Sequence, residues 1–151
     1  VRRLLTEARA EGVRLAIATT TTPDNVMALL EHSLGPNTAS WFEVIGAGDV
    51  VPAKKPAPDI YNYVLARMKL TPAQCVAFED SENGLLSALG AGLTTVITIS
   101  DYTRDHRFDG AAIVLDHLGE PDRACRVLAG PNLNGATQLD LAAIRRLHLG
   151  T

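Results

Sequence analysis

Three short stretches combine residue types that can hold a phosphate ester: Ala18-Thr19-Thr20-Thr21, Lys55-Pro56-Ala57-Pro58-Asp59 and Phe78-Glu79-Asp80-Ser81. Together they offer hydroxyl donors, a fixed cation and two adjacent carboxylates. Each follows an apolar, strand-like run or its exit loop, and each leads into a helix start. Such a set suits a phosphate group with a divalent metal. None of these residues is an obvious nucleophile, and that bounds the chemistry as much as the donors do.

Each stretch also has a plainer explanation. Thr19 and Thr20 close a strand just before a helix that begins near Thr22. Free amides and the partial positive charge of that helix start favour an anion, but threonines here could equally only cap the helix. Lys55 sits between Lys54 and Pro56, and Pro56 and Pro58 force an extended, stiff backbone. The result is either a positioned point charge or a solvated turn lysine. Glu79 and Asp80 are neighbouring carboxylates directly after an apolar strand. They repel each other and resist burial unless a cation is near, although acidic residues also suit a helix start through its dipole. Magnesium takes one or two carboxylates, completing its shell with water and phosphate oxygens. Side chains of neighbouring residues at a strand end diverge, so Asp80 is expected to ligate directly and Glu79 to hold a water.

The elements that must position these residues alternate. Leu4, Leu5 and Ala8 before Gly12 read as the end of a helix. Arg14–Ala18, Phe42–Ile45, Cys75–Phe78, Thr95–Ile99 and Ala112–Leu115 read as short buried strands. Helices begin at Thr22-Pro23, Pro58-Asp59 and Ser81, with Ile60, Tyr61, Val64, Leu65 and Met68 turned inward on the second of them. Thr71–Gln74 reads as a capped turn, and Leu139–Leu147 as a closing amphipathic helix. Strand–helix alternation implies a doubly wound α/β fold with a parallel sheet covered on both faces. In such folds ligands sit at the carboxyl ends of the strands, where all three stretches fall. Residues 1–130 are expected to form the core, and 131–151 a linker and terminal helix.

Composition narrows the classes. A chain of 151 residues with 46% hydrophobic and 21% charged residues is ordinary for one globular domain. A net charge of −3 gives no footprint for nucleic acid. No apolar run approaches the ~20 residues of a membrane span. The cysteines, Cys75 and Cys125, lack metal-ligand spacing, and His32, His106, His117 and His148 are scattered. A reducing, cytoplasmic setting is the expectation, or the plastid stroma for a plant source. Gly46-Ala47-Gly48 lacks the third glycine of a dinucleotide loop.

The order of hydroxyl loop, lysine and acidic pair resembles the haloacid dehalogenase-like hydrolase superfamily, in the branch of β-phosphoglucomutase, phosphoglycolate phosphatase and the CbbY-type sugar-phosphate phosphatases. Leu15–Thr19 is similar to that family's second motif, Lys55–Asp59 to its third, and Phe78–Ser81 with Asn83-Gly84 to its fourth. The resemblance runs through about residue 115 and fades beyond it. It implies that Thr19 and Thr20 bind the transferring phosphoryl group, that Lys55 balances its charge, and that Glu79 and Asp80 hold Mg2+. The expected activity is that of a magnesium-dependent phosphatase of a small phosphorylated sugar or acid, with neither nucleic acid nor membrane as partner. The family's first motif, Asp-x-Asp-Gly, is not in this chain; Asp49 follows no suitable strand, and Asp101 lies too late. The resemblance therefore implies a carboxyl-terminal portion, lacking the nucleophile strand and the cap, inactive and poorly folded by itself. That strand would lie between those ending at Thr19 and at Asp80. The same core would serve a sugar-phosphate mutase, and a non-catalytic phosphate-binding module is the reading from outside the enzymes. A receiver-type signalling domain, which places its acidic pair first, fits the order less well.

Overall fold

A computed structural model describes residues 1–150. Its elements run α1 (Arg2–Ala10), β1 (Ala16–Ala18), α2 (Pro23–Leu34), β2 (Val44–Gly46), α3 (Asp59–Met68), β3 (Val76–Glu79), α4 (Glu82–Gly90), β4 (Thr94–Thr98), β5 (Ile113–Leu115), β6 (Val127–Ala129) and α5 (Leu141–Leu149). The expected α/β alternation is present, and the strands read from sequence shift by one or two residues. Phe42 lies outside its strand, because a short 3-10 turn over Thr38–Trp41 ends there and β2 starts two residues later. β6 was not expected. It is a three-residue apolar run, Val127-Leu128-Ala129, too short to stand out in sequence, mostly exposed, and antiparallel to β5.

The strands form two sheets. β1 pairs in parallel with β2, and β3, β4, β5 and β6 follow one another in a second sheet that is parallel except at β6. No ladder joins β1 to β3. Helices join the two sheets instead. On one face, α1 sends Leu4 and Ala8 into a core with Val96, Ile113, Leu115, Leu139 and Ile144, while its Leu5 packs with Val26, Leu30 and Leu34 of α2. On the other face, Ile60, Tyr61 and Leu65 of α3 pack with Ala77, Ala88 and Ala18. Residues 131–150 supply Leu133, Leu139, Leu141, Ala143 and Ile144 to the first of these cores.

Polar contacts fasten the distal parts. The Arg3 guanidinium donates to the carbonyls of Leu118 at 3.3 Å and Leu139 at 2.7 Å, and Glu7 accepts the Leu141 amide at 3.0 Å, so α1 caps the entry to α5. Asp116 pins β6 by accepting the Arg126 amide at 2.7 Å and its guanidinium at 3.1 Å. Partial burial alone would raise the Asp116 carboxyl; the hydrogen bonds from Arg126 and His117 outweigh it and hold the group below its usual value. No helix among the described residues is long and apolar enough to cross a membrane.

Candidate active site

β1 ends in a hydroxyl-rich turn. The Thr19 amide donates to the Gly46 carbonyl at 2.9 Å, extending the ladder with β2 by one bond. The Thr19 hydroxyl accepts the Thr21 amide at 3.2 Å, which leaves its own proton for an incoming oxygen. Thr22 then caps α2, accepting the Asn25 amide at 3.4 Å, with Pro23 in the first turn. Thr20 is half-buried in this turn.

Lys55 reaches the same place from the loop after β2. Its backbone is fixed by Pro56 and Pro58, and the Lys55–Pro56 bond is cis. The loop is also docked on α4. The Ser87 hydroxyl, fully buried, donates to the Ala57 carbonyl at 2.7 Å, and Gly90 lets Pro58 approach so closely that an added Cβ would lie 3.2 Å from it. So anchored, Lys55 extends its ammonium to the Ala18 carbonyl at 3.1 Å and to Glu79 Oε1 in an ion pair. One cation thus touches the last residue of β1 and the last residue of β3.

Glu79 is largely enclosed, its side chain 7% exposed against 16% for Lys55. A buried carboxylate needs this company. It has a second donor, the Tyr61 phenol from α3, on the same Oε1. Burial first, and then the charge of Glu79 and the hydrogen bond to it, push the Tyr61 hydroxyl far above its ordinary pKa, so it stays a donor. The Lys55 ammonium lies 5.1 Å from the centroid of the Tyr61 ring, within cation–π range. Oε2 of Glu79 lies against the first turn of α4: a Cβ on Gly84 would meet it at 2.0 Å. Ser81 caps that turn, accepting the Gly84 amide at 3.0 Å. Asp80, between Glu79 and the cap, is exposed to solvent.

The contacts therefore join Lys55, Glu79 and the end of β1 directly, while Thr19, Thr20 and Asp80 adjoin them along the chain. The donor set fits a magnesium ion, which needs only one or two carboxylates: Asp80 is open, and Glu79 has its Oε1 engaged. The described residues hold no group of three or more His, Cys, Asp or Glu side chains that could form an all-protein cage. A concavity of about 540 Å³ lies elsewhere, between Pro131–Asn134 and α5. Arg146 is its one charged lining residue, and no carboxylate lines it.

The sequence gives no role to Tyr61 or Ser87, and Gly84 enters it only as part of a motif. In sequence Tyr61 reads as a packing residue, yet a phenol on a buried helix face needs an acceptor, and that requirement is the available signal. Ser87, a serine on the apolar side of α4, carried a similar one.

The model for haloacid dehalogenase-like hydrolases matches residues 1–92. The plasmid-borne protein CbbY of Cupriavidus necator is 43% identical over 153 residues, covering 100% of this chain and 59% of that protein. The phosphorylated carbohydrates phosphatase of Thermotoga maritima is 33% identical over 96 residues, 64% of this chain and 43% of its own length. Among solved structures, a mutant CbbY from Rhodobacter sphaeroides in complex with xylulose-(1,5)bisphosphate superposes with a TM-score of 0.73 at 46% identity, covering 76% of this chain and 51% of that one. The chain spans about half the length of these relatives, from 43% to 59%.

Proposed function

The chain belongs to the haloacid dehalogenase-like hydrolases, and we propose that it forms the phosphate- and metal-binding portion of a magnesium-dependent phosphatase of a small phosphorylated sugar or acid. The observation that carries this reading is the position of Lys55, whose ammonium links the Ala18 carbonyl to Glu79 and so draws the hydroxyl turn and the acidic pair together. A surface ion pair would not need two prolines, a buried serine and a buried phenol to set it. The substrate class follows from the relatives, one a phosphatase of phosphorylated carbohydrates and one crystallised with a sugar bisphosphate.

In this reading Thr19 donates its hydroxyl proton to a phosphoryl oxygen, and Thr20 adds a second hydroxyl. The Lys55 ammonium neutralises charge that the phosphoryl group presents as its ester bond breaks, and as a fixed charge it needs little reorganisation to do so. Asp80 would hold Mg2+ directly and Glu79 through a water, and the ion would supply further neutralisation of the phosphoryl oxygens. No residue of this chain is assigned as the nucleophile.

The test uses the protein that contains this chain, assayed with Mg2+ on sugar monophosphates and bisphosphates and on β-glucose 1-phosphate. Phosphate release that a chelator abolishes and Mg2+ restores is the expected result, without isomerisation of β-glucose 1-phosphate. Lys55→Ala should lower turnover by at least ~10², the scale of losing one charge-stabilising group. Wild-type kcat in Lys55→Ala, or hydrolysis indifferent to chelation, overturns the proposal.

A further inference from the structure

We propose that Tyr61 is a positioning residue of this site: its phenol holds Glu79 Oε1 on the Lys55 ammonium, which fixes the cation and leaves Asp80 as the direct metal ligand. The inference rests on the functional reading above and assigns a role to a residue outside the three sequence stretches.

Three observations converge on it. First, Oε1 of Glu79 accepts from both Lys55 and Tyr61. Second, Oε2 packs against the bare Cα of Gly84, filling the space a side chain would take: a Cβ there would lie 2.0 Å from it. Third, the Tyr61 ring lies beneath the ammonium, 5.1 Å from centroid to Nζ. The phenol therefore acts on the pair twice, by its hydroxyl on the anion and by its ring on the cation. Lys55 keeps one further anchor, the Ala18 carbonyl at 3.1 Å. Without the hydroxyl, Oε1 retains a single donor and the carboxylate gains a rotation. The ammonium then follows it or drifts toward Ala18.

This division of labour also separates the two carboxylates. Glu79 is 7% exposed and committed to internal donors, and Asp80 is open. Tyr61 keeps Glu79 serving the lysine, so cation affinity should depend on Asp80 and hardly at all on Tyr61.

Tyr61→Phe isolates the hydroxyl, because the ring under Lys55 remains. In the protein containing this chain, Mn2+ serves as the probe, its binding followed by electron paramagnetic resonance, alongside the Lys55 ammonium signal in 15N NMR. Tyr61→Phe should lower kcat about tenfold, the scale of one hydrogen bond to a charged group, with KM held within about twofold. Mn2+ affinity should stay within about twofold of wild type, while Asp80→Asn should lose it. The Lys55 ammonium signal, sharp when the group is hydrogen-bonded, should broaden in Tyr61→Phe. A Tyr61→Phe protein with wild-type kcat and an unchanged ammonium signal overturns the inference. So does a variant whose Mn2+ affinity changes more than about tenfold, since Glu79 would then be a direct ligand. Wild-type protein that neither binds Mn2+ nor hydrolyses phosphate esters would refute the functional reading instead, and the ammonium signal would still decide whether Tyr61 sets Lys55.

Discussion

At the scale of single residues, the site is governed by what surrounds one carboxylate. Glu79 has donors on Oε1 and a glycine against Oε2, and Gly84 matters only because it has no side chain. Its backbone is not in the left-handed region, so conformational freedom is not the reason for glycine there. Two effects compete in Gly84→Ala. Helix propensity favours alanine by about 1 kcal/mol in a helix interior. Against that, the new methyl must displace Glu79, whose ion pair with Lys55 is mostly buried, and breaking such a pair costs about 3–5 kcal/mol. The carboxylate can relieve the clash by moving, at the expense of Lys55's position, so the damage should fall on activity more than on stability. Gly84→Ala should lower turnover by ~10², as a 1 Å misplacement near the chemistry does, while Tm moves by no more than about 4 °C. Wild-type turnover in Gly84→Ala would show that the placement of Glu79 is immaterial.

At the scale of elements, the placement of Lys55 depends on how its loop is held as well as on the loop's own prolines. Beyond its two prolines, the Lys55–Asp59 stretch is docked on α4 through the Ser87 hydroxyl on Ala57 and the close approach of Gly90 to Pro58. Removing the hydroxyl leaves the half-buried Ala57 carbonyl without its partner, which costs about 1 kcal/mol, the low end for an unsatisfied acceptor. Ser87→Ala should therefore lower Tm by several degrees, about 2–4 °C for each kcal/mol at this size, and should lower turnover as Lys55 loosens. Ser87→Thr, which keeps a hydroxyl, should restore part of the turnover. If thermal unfolding of Ser87→Ala matches wild type, the loop does not depend on α4. The sequence made much of this legible. Thr22, Ser81 and the Thr71–Gln74 box marked helix and turn starts because capping is a local, chemically specific event. Lys55, Glu79 and the end of β1 were read as convergent because strand ends gather there in α/β folds. What stayed hidden depends on distant partners. Gly46 fits no dinucleotide loop in the sequence, and its reason lies in packing: its bare Cα admits Val64 and Ile60 of α3, which a Cβ would meet at 2.9 and 3.2 Å. β6 is recognised only by its pairing with β5, and Tyr61 only by the acceptor it finds across the core.

At the scale of the whole molecule, the division of the sheet governs how stability is distributed. β1 and β2 form a two-stranded ladder of three residues each, extended by one bond at each end, Thr19 to Gly46 and Glu43 to Leu15. A two-stranded unit is marginal by itself. β3, β4 and β5 make a longer run of parallel pairs, with Val96, Ile97, Ile113 and Leu115 essentially sealed from solvent. Ala16, Ile17 and Ala18, by contrast, are only partly buried. The two units are coupled by α1 and α3 across the faces and, between the strands themselves, by Lys55. Opening of the β1–β2 unit therefore breaks few backbone bonds and exposes less apolar surface than opening of β3–β5, and local openings of that kind exchange amides without global unfolding. Hydrogen exchange on this chain should show the amides of Ala18, Thr19 and Gly46 exchanging at least ~10-fold faster than those of Val96 and Ile97, a difference of about 1.4 kcal/mol in opening free energy. Lys55→Ala should widen that difference by removing the contact between the two strand ends. Equal protection of both units in wild type would mean that the helices alone make the two sheets one cooperative body, and Lys55 would then serve the site without serving the fold.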